Sequence, residues 1–136
     1  MGTRGRKSAA DLAITSTGTI ETIDRADAPY DLTDEQSAEW WAVVNRMPAD
    51  WFPRETHAIL GQYCRHVVAA RRVAQLVGAI EGQESLDIEE YDRLLKMQER
   101  EGRAMTSIAT KLRITQQATH GRSKKKSQAA HAPWER

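Results

Sequence analysis

Between residues 53 and 115, apolar positions recur at steps of three and four, the spacing that puts side chains on one face of an α-helix. The first run contains Ile59, Leu60, Tyr63, Cys64, Val67, Val68, Val73, Leu76, Val77 and Ile80. The second run contains Ile88, Tyr91, Leu94, Leu95, Met105, Ile108, Ala109 and Leu112. Pro53 suits the first turn of one helix, and Asp87 with Glu90 is typical of the start of the other. The pattern therefore predicts two long helices joined at residues 81–86 in an antiparallel hairpin.

A shorter helix is predicted ahead of the hairpin. Thr33 and Gln36 have the spacing of a capping box, and Pro48 ends the helical pattern. Trp40 and Trp41 lie in this helix, and a third tryptophan follows it. We expect the tryptophans to pack the helix onto the base of the hairpin or against a neighbouring subunit.

The predicted fold is all-α, with a short N-terminal helix, a long antiparallel helical hairpin that oligomerises, and flexible tails at both ends. Residues 1–29 are poor in large apolar groups, which is typical of a flexible tail. Residues 30–119 form the predicted oligomerisation and DNA-binding domain, and residues 120–136 form a flexible basic tail. Each arm of the hairpin is about 40 Å long, so its apolar surface exceeds what the rest of the chain can cover. Further copies of the chain are expected to cover it, and a small monomeric helical bundle is the alternative.

The contacts between copies are expected on apolar residues of the short helix and of both arms. These residues are Trp40, Trp41, Tyr63, Val67, Leu76, Tyr91, Leu94 and Leu95. The apolar stripe of the second arm is interrupted at Gln98, Glu101 and Gly102. Because glycine costs about 1 kcal/mol of helix propensity relative to alanine, this interruption favours a kink or a break near Gly102.

The formal net charge is +1, but the charges are segregated along the chain. Residues 81–101 contain eight acids and three bases, whereas residues 103–136 contain eight bases and one acid. Blocks of this kind point to charged partners, and the basic residues indicate phosphate binding. The candidate DNA-binding residues are Arg4, Arg6, Lys7, Arg65, Arg71, Arg72, Lys111, Arg113, Arg122, Lys124, Lys125 and Lys126. Trp134, isolated in a polar tail, is a candidate for docking a partner.

The sequence contains no recognisable catalytic or metal-binding arrangement. Cys64 is the only cysteine and lies on an apolar stripe, where a small buried hydrophobe is expected. The four histidines lack ligand spacing, and there is no Gly-rich phosphate loop or nucleophile elbow. We therefore expect a protein that is not an enzyme and that has no cofactor or metal. The absence of a signal peptide and of an apolar run of about 18 residues predicts a soluble, intracellular protein without membrane contact.

Residues 108–118 favour a second interpretation, the turn of a helix-turn-helix. In this interpretation Ala109 packs inside, residues 115–117 open a recognition helix, and Arg113 takes the position that usually holds glycine. The protein would then be a dimeric regulator that reads a short palindrome. A coiled-coil adaptor without DNA binding is a further alternative, in which the basic tail only aids solubility.

The order of these features resembles that of the phage terminase small subunits. The stretches that carry the resemblance are a basic N-terminal start, EQSAEWWAVV at residues 35–44, ETHAILGQYCRHVVAARRVAQLV at residues 55–77 and SIATKLRITQQATHGRSKKK at residues 107–126. The resemblance covers roughly residues 30–126. The Leu-Gly-Leu-Thr-Pro turn that is usual in this family is Leu-Arg-Ile-Thr-Gln at residues 112–116, without the glycine and the proline.

The resemblance implies a non-enzymatic part of a viral genome-packaging motor. Members of the family form homo-oligomeric rings, bind double-stranded viral DNA near the packaging start site, and recruit or regulate the large terminase subunit, which holds the ATPase and the nuclease. It also implies action in the cytoplasm of the host cell. In a ring, modest basic patches repeated in every copy give strong, salt-sensitive DNA binding.

Overall fold

The computed structural model describes residues 23–116 together with residues 118 and 119, and this part of the chain is all-helical, without a β-strand. Its elements are helix α1 (Asp34–Arg46), a short 3-10 helix (Arg54–Thr56), helix α2 (His57–Glu81) and helix α3 (Ile88–Lys111). The predicted all-α class is therefore confirmed for the described residues.

Helix α1 begins and ends where its sequence predicts. The Thr33 hydroxyl accepts a hydrogen bond from the Gln36 N–H at 3.4 Å, and the Gln36 side chain accepts one from the Thr33 N–H at 3.1 Å. This reciprocal pair is the predicted capping box, which satisfies donors that the first turn leaves unpaired. The helix ends at Arg46, ahead of Pro48.

Arg25 closes the other end of α1, which the sequence pattern did not predict. Its guanidinium donates to the carbonyl oxygen of Val44 at 2.6 Å and also to that of Met47. Beside it, the indole N–H of Trp40 donates to the carbonyl oxygen of Ala26 at 3.0 Å. Arg25 and Ala26 therefore contact α1 from the segment that the sequence analysis assigned to a tail.

Two side-chain hydrogen bonds connect α2 and α3. The Tyr91 hydroxyl donates to the Glu81 carboxylate at 2.9 Å close to the connection. Farther along, His66 contacts Glu101 at 2.6 Å. The first contact joins the end of α2 to the start of α3, and the second joins the middle parts of the two helices. The Asp87 side chain starts α3 by accepting hydrogen bonds from two backbone N–H groups of its first turn.

Helix α3 continues through Gly102 without a break, contrary to the expected interruption. A penalty of about 1 kcal/mol for one glycine is small against the cooperativity of a 24-residue helix that packs along its length. The polar residues there do not end the helix because the Glu101 carboxylate has a partner on α2, the His66 ring.

The buried apolar residues form two separate clusters. The first cluster contains Leu32, Trp40, Val44, Met47, Phe52, Leu60, Cys64 and Leu112. The second cluster contains Val73, Val77, Ile80 and Leu94. Helix α1 contributes to the first cluster only, so the C-terminal part of α2 is packed by α3 alone among the described helices.

Two of the residues expected at contacts between copies belong to these clusters instead. Trp40 is fully buried in its own chain and Leu94 is also buried, because α1 and α3 pack their apolar faces onto α2. Leu76 and Leu95 are 52% and 37% exposed, so both remain accessible to a neighbour. The half-buried members of the predicted set are Trp41, Tyr63, Val67 and Tyr91.

Candidate nucleic-acid interface

Three of the predicted phosphate-binding arginines are paired with carboxylates inside the chain. Arg71 lies 2.5 Å from the Glu39 carboxylate, and this hydrogen bond raises the pKa of Arg71. Arg72 lies 3.7 Å from the carboxylate of Glu35, which is in the first turn of α1. Both pairs connect α1 to α2, and their positive charge is balanced locally.

Arg65 is the third arginine of this group and contacts the Asp31 carboxylate just before α1. Each of the three α2 arginines that the sequence analysis assigned to DNA contacts is therefore part of an ion pair on the surface of the described fold. The α2 arginines face the acidic side chains of the preceding segment, because α1 packs on the same half of α2.

A different group of basic residues is exposed and forms no ion pair within the described part of the chain. It includes Arg46 at the end of α1, and Lys111 and Arg113 at the end of α3, while Arg54, Arg93 and Arg100 share these properties at other positions. These ends are adjacent, because Arg46 and Ile114 line the same groove. We call Arg46, Lys111 and Arg113 the basic end. The sequence analysis missed Arg46, since nothing in its local pattern distinguishes it from a paired surface arginine.

The chain turns sharply after α3, at Arg113. The Arg113 N–H donates to the carbonyl oxygen of Thr110 and the Ile114 N–H donates to that of Ala109, both at 3.1 Å. Arg113 has a φ of 55°, the left-handed conformation that glycine usually supplies in this helix-ending motif. The sequence analysis placed Arg113 at this glycine position, and the backbone conformation confirms that placement. The turn directs Ile114 onto the first apolar cluster and leaves the Arg113 side chain exposed.

A new helical turn follows at once. The carbonyl oxygen of Thr115 accepts hydrogen bonds from the N–H groups of Ala118 and Thr119, each at 3.1 Å. Gln116 is exposed at the start of this turn, and Gln117 lies outside the described residues. Helix α3, the turn and this helical start have the order of elements predicted for a helix-turn-helix.

A groove of about 610 Å³ separates α1 from the turn after α3. Its walls are formed by Ala42, Val43, Arg46, Met47, Tyr63, Ile114, Gln116 and Thr119. Burial is the main factor that raises the pKa of the Tyr63 phenol, so this group stays a neutral hydroxyl at physiological pH. The guanidinium, amide and hydroxyl groups on the walls can bind phosphate oxygens or base edges.

Both ends of the described chain lie beside the basic end. Arg25 contacts the carbonyl oxygens of Val44 and Met47, and Thr119 lines the groove together with Met47. The remaining predicted residues lie outside the described part of the chain, and they are Arg4, Arg6, Lys7, Arg122, Lys124, Lys125, Lys126 and Trp134.

Two further properties of the described residues bear on the class of protein. No group of three or more His, Cys, Asp or Glu side chains in this part of the chain is positioned to hold a metal ion. None of its helices is long and apolar enough to cross a membrane.

Comparison of the chain with protein-family models, with curated proteins and with solved structures gives no match. The resemblance to phage terminase small subunits therefore rests on the sequence patterns alone and stays a prediction.

Proposed function

We propose that this protein is a small terminase subunit, a ring-forming, non-enzymatic DNA-binding component of a viral packaging motor. Its partners are double-stranded viral DNA, other copies of the same chain and the large terminase subunit, and it acts in the cytoplasm of the host cell. The observation that carries the proposal is the basic end, where exposed cations that form no ion pair within the described residues lie near Arg25 and Thr119, at the two ends of the described part of the chain.

Charge pairing supports DNA binding at this end and not along α2. The charge of each of the three α2 arginines is offset by a neighbouring carboxylate, whereas Arg46, Lys111 and Arg113 form no ion pair within the described residues. Each phosphate that is neutralised releases counterions, so the binding constant falls steeply with salt. The lysines at residues 124–126 follow the basic end closely in sequence.

Exposed apolar residues support the assembly of several copies. Leu76 and Leu95 are accessible on the part of the paired helices that α1 does not cover, and Ile88 is 74% exposed at the start of α3. Large apolar side chains grouped on an otherwise polar helix surface are typical of sites where another chain packs. A second copy that packs there would remove this surface from water in every protomer of a ring.

A double substitution tests the DNA-binding surface. In Arg46→Gln/Lys111→Gln, we expect roughly tenfold weaker binding to double-stranded DNA and a less steep salt dependence, by about 2 in the slope of log K against log salt. The measurement is fluorescence anisotropy with a labelled duplex at several salt concentrations.

The matched control is Arg93→Gln/Arg100→Gln, which removes two exposed arginines from the acidic half of α3. Neither arginine forms an ion pair within the described residues. Equal losses in the two double variants would show that only total charge matters, and this result would contradict a DNA site at the basic end.

The turn at Arg113 and the helical start at Gln116 support a second candidate, a dimeric helix-turn-helix regulator. In that case Gln116 reads a base edge, since glutamine forms paired hydrogen bonds with adenine in the major groove. Gln116→Ala is then expected to change the preferred DNA sequence, as measured by selection from a random duplex library. An unchanged preference, together with a mass above that of a dimer, favours the terminase proposal. Indifference to DNA at low salt would instead favour the coiled-coil adaptor.

A further inference from the structure

A chain of side-chain hydrogen bonds crosses α2 from the segment before α1 to the middle of α3. Arg65 contacts Asp31 through one guanidinium nitrogen and donates to the Gln62 Oε1 atom at 3.3 Å through the other. The Gln62 Nε2 atom lies 3.3 Å from the His66 Nε2 atom. The His66 Nδ1 atom lies 2.6 Å from the Glu101 carboxylate.

The directions of these hydrogen bonds are determined by donor and acceptor chemistry. The Gln62 amide oxygen faces a guanidinium, which only donates, so the amide nitrogen must face His66. An amide nitrogen only donates, and the His66 Nε2 atom must therefore accept and carry no hydrogen. The hydrogen of neutral His66 is then on Nδ1, where it is donated to Glu101.

We propose that protonation of His66 reverses the orientation of the Gln62 amide and breaks the contact between Gln62 and Arg65. The imidazolium carries hydrogens on both nitrogens, so its Nε2 atom can no longer accept from the Gln62 amide nitrogen. Rotation of the amide brings its oxygen to His66 and turns its nitrogen toward Arg65, where two donors face each other. Arg65 then keeps Asp31 as its partner and loses Gln62.

The consequence is that this chain of hydrogen bonds, which we call the relay, depends on pH. The relay connects the middle of α3 to the segment before α1. The charged groups that face the relay are Glu101 from α3, Arg65 from α2 and Asp31 from the segment before α1. Glu101 remains paired in both protonation states, because Nδ1 donates in each. The change is transmitted to Arg65, which holds the segment that leads into α1. This inference goes beyond DNA binding and does not depend on it.

The first test is the tautomer of neutral His66, measured by ¹⁵N NMR of the histidine rings in the full-length protein. We expect the hydrogen on Nδ1 for His66. The internal control is His57, whose Nε2 atom lies 3.1 Å from the Phe52 carbonyl oxygen and must donate to it. His57 is therefore expected to carry its hydrogen on Nε2. A hydrogen on Nε2 in His66 would overturn the proposal.

The second test follows the Gln62 amide and the Arg65 guanidinium by NMR across the titration of His66. Both groups are expected to shift at the midpoint of His66 in the wild-type protein. In Gln62→Ala, Arg65 should no longer respond when the pH is lowered. In Gln62→Glu, the carboxylate accepts from Arg65 in both states of His66 and from Nε2 only when His66 is protonated, so Arg65 should keep its contact at every pH at which the carboxylate is ionised. An Arg65 response of the same size in Gln62→Ala would show a through-space effect and overturn the relay.

Discussion

The backbone conformation of Arg113 is unfavourable for an L-residue, whereas its charged side chain is favourable at this exposed position. An L-residue in the left-handed conformation costs about 1–2 kcal/mol, and the Arg113 φ of 55° lies in that region. In return the turn packs Ile114 on the core and places a cation at the C-terminal end of α3, where the helix dipole favours positive charge. The conformation is thus maintained by the packing of its neighbours and not by the residue itself.

Replacing Arg113 by glycine separates these effects. We expect Arg113→Gly to raise the free energy of unfolding by about 0.5–1 kcal/mol, because glycine adopts the left-handed conformation without steric strain. The same change should weaken DNA binding by removing a cation of the basic end. Urea denaturation measures the first effect and duplex anisotropy the second. As a control, Arg93→Gly lies inside α3 and is expected to lower stability by about 1 kcal/mol. A destabilised Arg113→Gly would contradict the strain argument.

Cys64 illustrates a reactive group that the fold makes inert. It is fully buried in the first cluster, and this burial, with the charge of Glu39 in second place, raises the pKa of the thiol to about 11. The ordinary value in an unfolded chain is about 9. Above that pH, unfolding lets the thiol ionise, so this group's contribution to stability is lost as pH rises from about 9 to about 11.

The comparison of wild type with Cys64→Ala tests this linkage. The wild-type protein should lose more stability than the variant between pH 9 and pH 11, as measured by urea unfolding at each pH. The pKa of Tyr63 is also raised, first by burial and then by the charge of Cys64, so the difference between the two proteins includes this coupling. Parallel stability curves for the two proteins would exclude the thiol as a source of the pH dependence.

At the scale of elements, α2 and α3 pack together through the first and second apolar clusters. The polar pair of His66 and Glu101 lies between these clusters. His66 and Glu101 are only 25% and 15% exposed, yet each is a hydrogen-bonding partner of the other. A partly buried polar pair adds little net stability, but it penalises any shift of α3 along α2 that would separate the two groups. The pair therefore contributes to the register between the helices.

Gly102, next to this pair, weakens α3 without a packing reason that the structure shows. A Cβ atom added to Gly102 would meet no neighbour within 4 Å. Gly102→Ala is therefore expected to raise the free energy of unfolding by about 1 kcal/mol. Thermal unfolding should show an increase of several degrees, since 1 kcal/mol corresponds to about 4–8 °C in a domain of this size.

Gly61→Ala is the matched comparison for this experiment, because a Cβ atom there would lie 3.9 Å from the Leu32 side chain, an ordinary contact. Both helical glycines should therefore tolerate alanine. If Gly102→Ala alone destabilised the protein, α3 would need a flexible or bent conformation at that residue in its working state.

At the scale of the whole molecule, opposite charges occupy opposite regions. Residues 81–90 are exposed and rich in acids, whereas the basic end lies where α1 and α3 terminate. An anionic polymer such as DNA is therefore repelled by one end of the protein and attracted to the other. Under the proposed function, this polarity would orient a protomer on DNA before any specific contact forms.

The solution mass of the purified protein tests the proposed ring. Light scattering after size exclusion should give seven or more protomers, because a closed ring buries the same side-to-side contact in every copy. Leu76→Glu/Leu95→Glu is expected to lower the mass, since it places charge on the exposed apolar surface. Ile59→Glu is the control, an exposed apolar residue near the start of α2. A wild-type monomer or dimer would remove the ring from the proposal and favour the regulator or the adaptor.

The sequence by itself determined the helices and their ends. Helical spacing, the Thr33 capping box and the Asp87 cap depend on residues a few positions apart, so local patterns are sufficient to predict them. The left-handed conformation of Arg113 is not determined in this way, because the usual glycine is absent and the packing of Ile114 maintains the turn.

Only the tertiary structure decided which charges and apolar residues are free. Arg65 and Arg71 pair with carboxylates more than 30 residues away, and Trp40 is buried by segments on both sides of it in the sequence. Spacing along the chain does not predict such contacts, because they depend on how α1 lies across α2. The basic end likewise depends on the tertiary structure, because Arg46 at the end of α1 and Ile114 after α3 line the same groove.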